Sequence, residues 1–182
     1  GAGSFLDLVK GFASKTIAIE PAKSYRQALK KKGHIVFDYA ESASATMKGK
    51  VDLAVCFSVV EHIEDPVPFL RGIRRLLAPG GKLLLTTPNR NDWLLELLPE
   101  DYGAIFYRHV HRWYFDAASL KHLAGLCGFR DVKIRFAHRY DVSNLLLWLR
   151  ERKPCGLGKL RVPAGLEAAL APALENEGRG DY

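Results

Sequence analysis

The chain has 182 residues, 48% of them hydrophobic and 26% charged, with a formal net charge of +7. That length suits one domain with a sizeable core, and the composition excludes a disordered or fibrous chain. The most apolar run, Leu145 to Leu149, is only five residues, so no membrane partner is expected.

The three cysteines, Cys56, Cys127 and Cys155, are isolated and match neither disulfide nor zinc-ligand spacing. A reduced, cytoplasmic compartment and no metal are therefore expected. The first residue is glycine with no basic leader behind it, so residue 1 is not expected to be a natural start. The lysines and arginines are scattered, which describes a solvated basic surface. The densest run, Lys30-Lys31-Lys32, precedes Gly33, where cations complement a helix C-terminus, and calls for no nucleic acid.

Taken in order, Gly1-Ala2-Gly3 opens the chain as a glycine turn, followed by a short amphipathic helix carrying Phe5, Leu6, Leu8, Val9 and Phe12. Thr16 to Ile19 reads as a strand ending in Glu20. A glycine turn, a helix and a strand closed by a carboxylate form half of a nucleotide-binding unit, because glycine admits a ligand to the backbone and the acid accepts from ribose hydroxyls. A Gly-Ala-Gly turn with no binding role explains the opening nearly as well. Ser24 to Lys32 reads as a helix with Tyr25, Ala28 and Leu29 inward, and His34 to Tyr39 as a strand.

The segment from Val51 to Asn89 carries the strongest pattern. Val51 to Phe57 is a short apolar run, fit for one buried strand. Asp65-Pro66 starts a helix with Phe69, Leu70, Ile73, Leu76 and Leu77 on one face, and Gly80-Gly81 is expected to end it. Lys82 to Thr87 is a second strand. Strand, helix, strand implies a right-handed crossover in a parallel sheet, whose ligands gather beyond the carboxyl ends, here Phe57-Ser58 and Thr87-Pro88-Asn89.

Asn91 to Tyr114 mixes Trp93, Leu94, Leu98, Tyr102, Phe106, Tyr107, Trp113 and Tyr114 with Arg108, His109, His111 and Arg112. Two readings stand: a cover over a pocket, or a satellite core under a long connection. Asp116 caps a helix that carries Leu120, Leu123, Ala124 and Cys127 and stops at Gly128. Val132 to Phe136 alternates as an edge strand does. Leu145 to Leu149 reads as a buried helix, or as a dimer or lid contact. Lys153 to Gly165 reads as a loop, and a short helix follows near Leu166 to Leu174.

Gly1-Ala2-Gly3, the IEP at 19–21, VDLAVCFSVVEHIEDP, LLAPGGKLLLTTPN and HRWYFDAASLKHLAGLCGF at 111–129 together resemble the class I S-adenosylmethionine-dependent methyltransferases. The resemblance is to the small-molecule branch with the ubiquinone-biosynthesis and sugar methyltransferases. It implies an α/β Rossmann-like fold, a mostly parallel sheet with helices on both faces, in a single domain over 1–182. Residues 1–89 would be the cofactor-binding half. Residues 90–182 would supply the substrate-side cover, the last helix–strand pair and a C-terminal extension.

The same resemblance assigns Gly1, Ala2 and Gly3 to the turn under the methionine part of the cofactor, S-adenosyl-L-methionine. Glu20 would hold the ribose hydroxyls and Pro21 would lie by the adenine, bordered by Asp38, Tyr39 and Ala40. Phe57 and Ser58 would lie beneath the sulfonium, with His62 close behind; a helix residue that only packs or caps is the competing reading of His62. The family's first strand has no counterpart before Gly1, and GRGDY resembles the start of its last, antiparallel strand. The first and last strands are therefore expected to be missing, and a chain so shortened is expected to bind cofactor weakly and to lack activity.

The implied reaction is methyl transfer to an O, N or C atom of a small molecule. Histidine suits proton removal near neutral pH, which selects His109 and His111 as bases with Tyr107 as an orienting hydroxyl. CFSVVEH departs from the Asn/Asp-Pro-Pro-aromatic sequence of enzymes that methylate adenine or glutamine nitrogens, so a nucleic-acid target is not expected. Arg108, Arg112 and Arg139 suit an anionic substrate. A homodimer is compatible with the sequence. Two alternatives remain: a non-catalytic methyltransferase-like binding domain, and a nicotinamide-dependent oxidoreductase, whose GxGxxG turn GAGSFL does not complete.

Overall fold

The computed structural model describes residues 1–182. Its order begins with α1 (Ser4–Val9), a 3-10 turn over Lys10–Phe12, β1 (Ile17–Ile19), α2 (Lys23–Lys31), β2 (Ile35–Phe37) and α3 (Ala40–Met47). Then come β3 (Val51–Phe57), a 3-10 turn over Val60–His62, α4 (Pro66–Leu76) and β4 (Leu77–Thr86). The remainder is helical: α5 (Trp93–Leu97), α6 (Asp101–Phe106), α7 (Ala117–Leu126), α8 (Val142–Glu151) and α9 (Ala164–Asn176).

β1 and β2, four of whose six residues are β-branched, pair in parallel with Ile17 opposite Ile35, Ala18 opposite Val36 and Ile19 opposite Phe37. α2 makes the crossover between them and ends at Gly33, whose φ of +83° is a conformation a side chain would strain. β3 and β4 pair in a second sheet. The α/β class is as expected, but the strands form two two-stranded sheets. The backbone divides into two compact units, one of Gly1–Val55 with Val67–Leu83 and one of Cys56–Pro66 with Leu84–Tyr182.

In the first unit, the apolar stripe of α4 buries Leu70, Ile73 and Leu76, and α2 buries Leu29. α3 has no apolar stripe in its sequence, AESASATM, yet Ala40 and Ala43 pack with Leu76 against Phe37, Met47 and Val51. Small residues let the backbones approach: a Cβ on Gly72 of α4 would come within 3.3 Å of that of Ala40. His34 is buried between the hydroxyl of Thr16 at 2.7 Å and the carboxylate of Asp7 at 3.0 Å.

Several sequence expectations are corrected. Tyr25 and Ala28 face solvent, leaving Leu29 as the buried contact of α2. Leu8 and Phe12 are exposed although their spacing suggested an inward face. Cys56 alone is buried in β3, where a strand with covered faces was expected, because such burial needs layers on both sides. α4 ends at Leu76 rather than at Gly80-Gly81, and the chain enters β4 directly.

In the second unit, Leu94, Leu98 and Trp148 form a core with Leu97, Tyr102 and Leu145 around it. α5 and α6 are therefore satellite core, while Tyr107, Arg108, His109 and Val110 after them are exposed. Asp116 caps α7, accepting from the N–H of Ser119 at 2.8 Å while the Ser119 hydroxyl accepts from the Asp116 N–H at 3.0 Å. Residues 132–136 are not a strand. Their ladder is reduced to Ala137 and Tyr182, which exchange two backbone hydrogen bonds (2.8 and 3.1 Å) in the antiparallel manner. Asn89 fixes the same return, its amide donating to the carbonyls of Gly178 and Gly180.

Candidate functional site

In the first unit the carboxyl ends of β1 and β2 lie side by side, the N–H of Glu20 donating to the carbonyl of Phe37 at 3.0 Å. Glu20 follows β1 and Asp38 follows β2, so parallel pairing sets two acids at one sheet edge. The Glu20 carboxylate accepts from the Gly1 ammonium and, at 2.8 Å, from the N–H of Ala22. Glu20 thus lies beside the glycine turn.

Gly3 has a φ of +81°, and a side chain there would run into Leu29. The carbonyl of Ala2 accepts from Lys32 at 2.8 Å, and that of Pro21 from Arg26. Asp38 accepts from the N–H of Tyr39 at 2.9 Å and from the Ser42 hydroxyl, and these bonds hold its carboxyl below the usual range. Tyr39 is exposed, whereas Ala40 is buried in the α3 core and turns no side chain outward.

In the second unit, Phe57 is exposed and Ser58 takes a φ of +50°, unusual for a residue with a side chain. Its N–H donates to Thr86 at 3.0 Å, and its hydroxyl lies 3.0 Å from that of Tyr182. The turn after it carries Glu61 inward and His62 outward. The carbonyl of Glu61 accepts from the N–H groups of Arg112 and Trp113 at 2.7 and 3.2 Å, and the Trp113 indole donates to Ile63 at 2.9 Å. These bonds bring His111 beside His62, ring centroids 4.7 Å apart.

Glu61 is 1% exposed, and its carboxylate has no well-formed hydrogen bond, the Thr87 hydroxyl alone lying near enough to favour its charged form. Burial pushes the Glu61 carboxyl up, and burial together with the Glu61 charge pushes the Cys56 thiol up to about 12, so this cysteine is no nucleophile. His111 is half-buried; burial, and then the charges of His62 and Arg108, hold it below the usual imidazole range. His109 and Tyr107 are exposed. Arg139, expected to be available to a substrate, is instead bound to the buried Asp181 at 2.7 Å and covers the Tyr182 ring at 4.0 Å.

A family described as a methyltransferase domain matches residues 1–134. The chain belongs to the class I S-adenosylmethionine-dependent methyltransferases. Among its curated relatives, the ubiquinone biosynthesis O-methyltransferase of Psychrobacter arcticus is 36% identical over 116 residues, 61% of this chain and 45% of that one. The enzyme of that name from Pseudomonas paraeruginosa is 35% identical over 71 residues, 33% of this chain and 31% of that one. The matched part thus spans less than half the length of either curated relative.

Two solved structures show the fold. One is a methyltransferase from Archaeoglobus fulgidus, TM-score 0.62 and 18% identity, over 98% of this chain and 76% of that one. The other, from Thermotoga maritima and described as a possible histamine N-methyltransferase, has a TM-score of 0.60 and 24% identity, over 76% and 64%. The cofactor of this methyltransferase family is S-adenosylmethionine. Glu20 and Asp38, at neighbouring strand ends, offer acceptors of the kind its ribose hydroxyls need.

Sequence reasoning missed Glu61 and Tyr182. Glu61 had a signal in its neighbour His62, but an acid between apolar residues reads as surface. Tyr182 had none, because its partner Ser58 is 124 positions away.

Proposed function

We propose that this chain transfers a methyl group from S-adenosylmethionine to an O, N or C atom of a small molecule. The observation that carries the reading is the Glu20 carboxylate, set at the carboxyl end of β1 beside the end of β2, in a chain of this family. The bound cofactor supplies an electrophilic methyl on a sulfonium. Glu20 accepts from the ribose hydroxyls, Asp38 and Tyr39 border the base with Pro21, and Phe57 and Ser58 lie beneath the sulfonium with His62 behind.

The residues 107–112 supply the substrate side. Positioning contributes much of the rate in such a displacement, because the reacting atoms must be aligned at about 3–3.5 Å. Where the acceptor must lose a proton, His111 is the stronger candidate base over His109 and Tyr107. Its lowered affinity for protons keeps the neutral imidazole at physiological pH. Arg108 and Arg112 serve an anionic group of the substrate, since Arg139 is committed to Asp181. The relatives named as ubiquinone biosynthesis O-methyltransferases favour oxygen as the attacking atom. The domain works in the cytoplasm.

The test is a thermal-shift and NMR titration with millimolar S-adenosylmethionine. Glu20→Ala is expected to weaken binding ten-fold or more, while Lys15→Ala leaves it unchanged. Equal binding by Glu20→Ala and the unsubstituted chain overturns the assignment.

A further inference from the structure

The turn after β3 holds a group of donors that the methyl-transfer reading does not use together. Glu61, His62 and His111 each offer one donor atom, and the three lie within 4.8 Å of one another. The His111 Nδ1 is buried without a partner and the Glu61 oxygens without a well-formed hydrogen bond, the Thr87 hydroxyl alone lying near them, although a buried polar atom left unpaired costs about 1–3 kcal/mol. These groups lie together at the turn, with the His62 ring beside that of His111.

His62 is oriented as a metal ligand is oriented. Its Nδ1 donates to the carbonyl of Val110 at 2.8 Å, which fixes the ring and leaves Nε2 with its lone pair free. The backbone bonds from Arg112 and Trp113 to Glu61 hold the His111 loop against the turn, so the donors are set before any ion arrives. One carboxylate and two imidazoles suit zinc and its divalent transition-series neighbours better than calcium or magnesium, which prefer all-oxygen sites. Glu61 lies at the inner side and His62 is exposed, so a fourth position opens toward solvent.

We infer that Glu61, His62 and His111 form a binding site for a divalent transition-metal ion, with one coordination position open to an exchangeable oxygen ligand. The site stands independently of the methyl-transfer reading, because the ion needs no cofactor to bind. It competes with the role of His111 as a base, since a nitrogen bound to an ion accepts no proton.

The experiment uses the purified chain after dialysis against EDTA, titrated with Co²⁺ and followed by visible absorption, then with Zn²⁺ by competition. The expected result is one Co²⁺ per chain at micromolar affinity, with ligand-field bands and no thiolate charge-transfer band, displaced by Zn²⁺. Glu61→Gln and His111→Ala are each expected to weaken binding ten-fold or more. His62→Ala, at an exposed side chain, tests the site if either buried variant fails to fold, and the same loss is expected. No stoichiometric binding below millimolar Co²⁺, or equal binding by His62→Ala, overturns the proposal.

Discussion

The hydroxyl of Tyr182 lies 3.0 Å from that of Ser58, joining the carboxyl end of β3 to the far end of the sequence. Ser58 sits at φ +50°, a backbone state that costs on the order of 1 kcal/mol and persists only where its surroundings impose it. Three contacts impose it here: the Thr86 hydrogen bond, the Tyr182 hydroxyl and the Arg139 guanidinium that pins the Tyr182 ring.

Ser58→Gly relieves that strain but also removes the Tyr182 hydrogen bond, so it is in a Tyr182→Phe background, where that bond is already gone, that it is expected to stabilise the chain, by up to about 1 kcal/mol in urea unfolding. Tyr182→Phe removes one neutral hydrogen bond and is expected to cost about 0.5–1.5 kcal/mol. If Ser58 lies beneath the sulfonium, both variants also bind S-adenosylmethionine more weakly. A chain carrying both substitutions that is less stable than Tyr182→Phe alone would show that the strain is not stored at this residue.

The core of the second unit makes a sharper prediction. Leu98 is 2% exposed, between Leu94 and Trp148, so Leu98→Ala should cost about 2–5 kcal/mol through lost burial and a residual cavity. Leu146, on the outer face of α8, is 42% exposed, and Leu146→Ala should stay within about 0.5 kcal/mol. Equal costs in chemical denaturation would contradict the packing described.

How much of this was legible depended on distance along the chain. The 51–57 strand, the stripe of α4, the Asp116 cap and the Gly128 stop all follow from residues within a turn or two of one another. α3 was hidden because alanines and serines carry no amphipathic signal, and its burial comes from packing against Phe37 and Leu76. Glu20 could be proposed from sequence because the glycine turn and the acid have a fixed spacing. The Glu61, His62 and His111 group could not, since its third member depends on a loop held by backbone bonds that no side-chain pattern encodes.

Asp116 tests local electrostatics. Its bonds from the Ser119 N–H and hydroxyl hold its carboxyl below the usual range, so its contribution is present above the unfolded pKa of about 3.9 and is lost as pH falls through the depressed folded value. Asp116→Ala should cost about 1 kcal/mol at pH 7, and Asp116→Asn, which still caps, much less. Urea melts at pH 7 and pH 3 would show the alanine deficit shrinking in acid; an unchanged deficit would rule out the charged cap.

Asp92 should behave in the opposite sense. It is 2% exposed, and burial raises its carboxyl despite hydrogen bonds from the Tyr102 hydroxyl at 2.7 Å and the Leu94 N–H at 2.9 Å. An acid whose folded pKa exceeds its unfolded one favours the fold fully below the unfolded value, about 3.9, and loses that advantage as pH rises through the folded value. Asp92→Asn keeps an acceptor for Leu94 and carries no charge, so it is free of this loss. The stability of Asp92→Asn relative to the original chain should therefore increase from pH 4 to pH 7, measured by urea unfolding at intervals of one pH unit. A constant difference across that range would mean that the Tyr102 and Leu94 hydrogen bonds fully offset the cost of burying the charge.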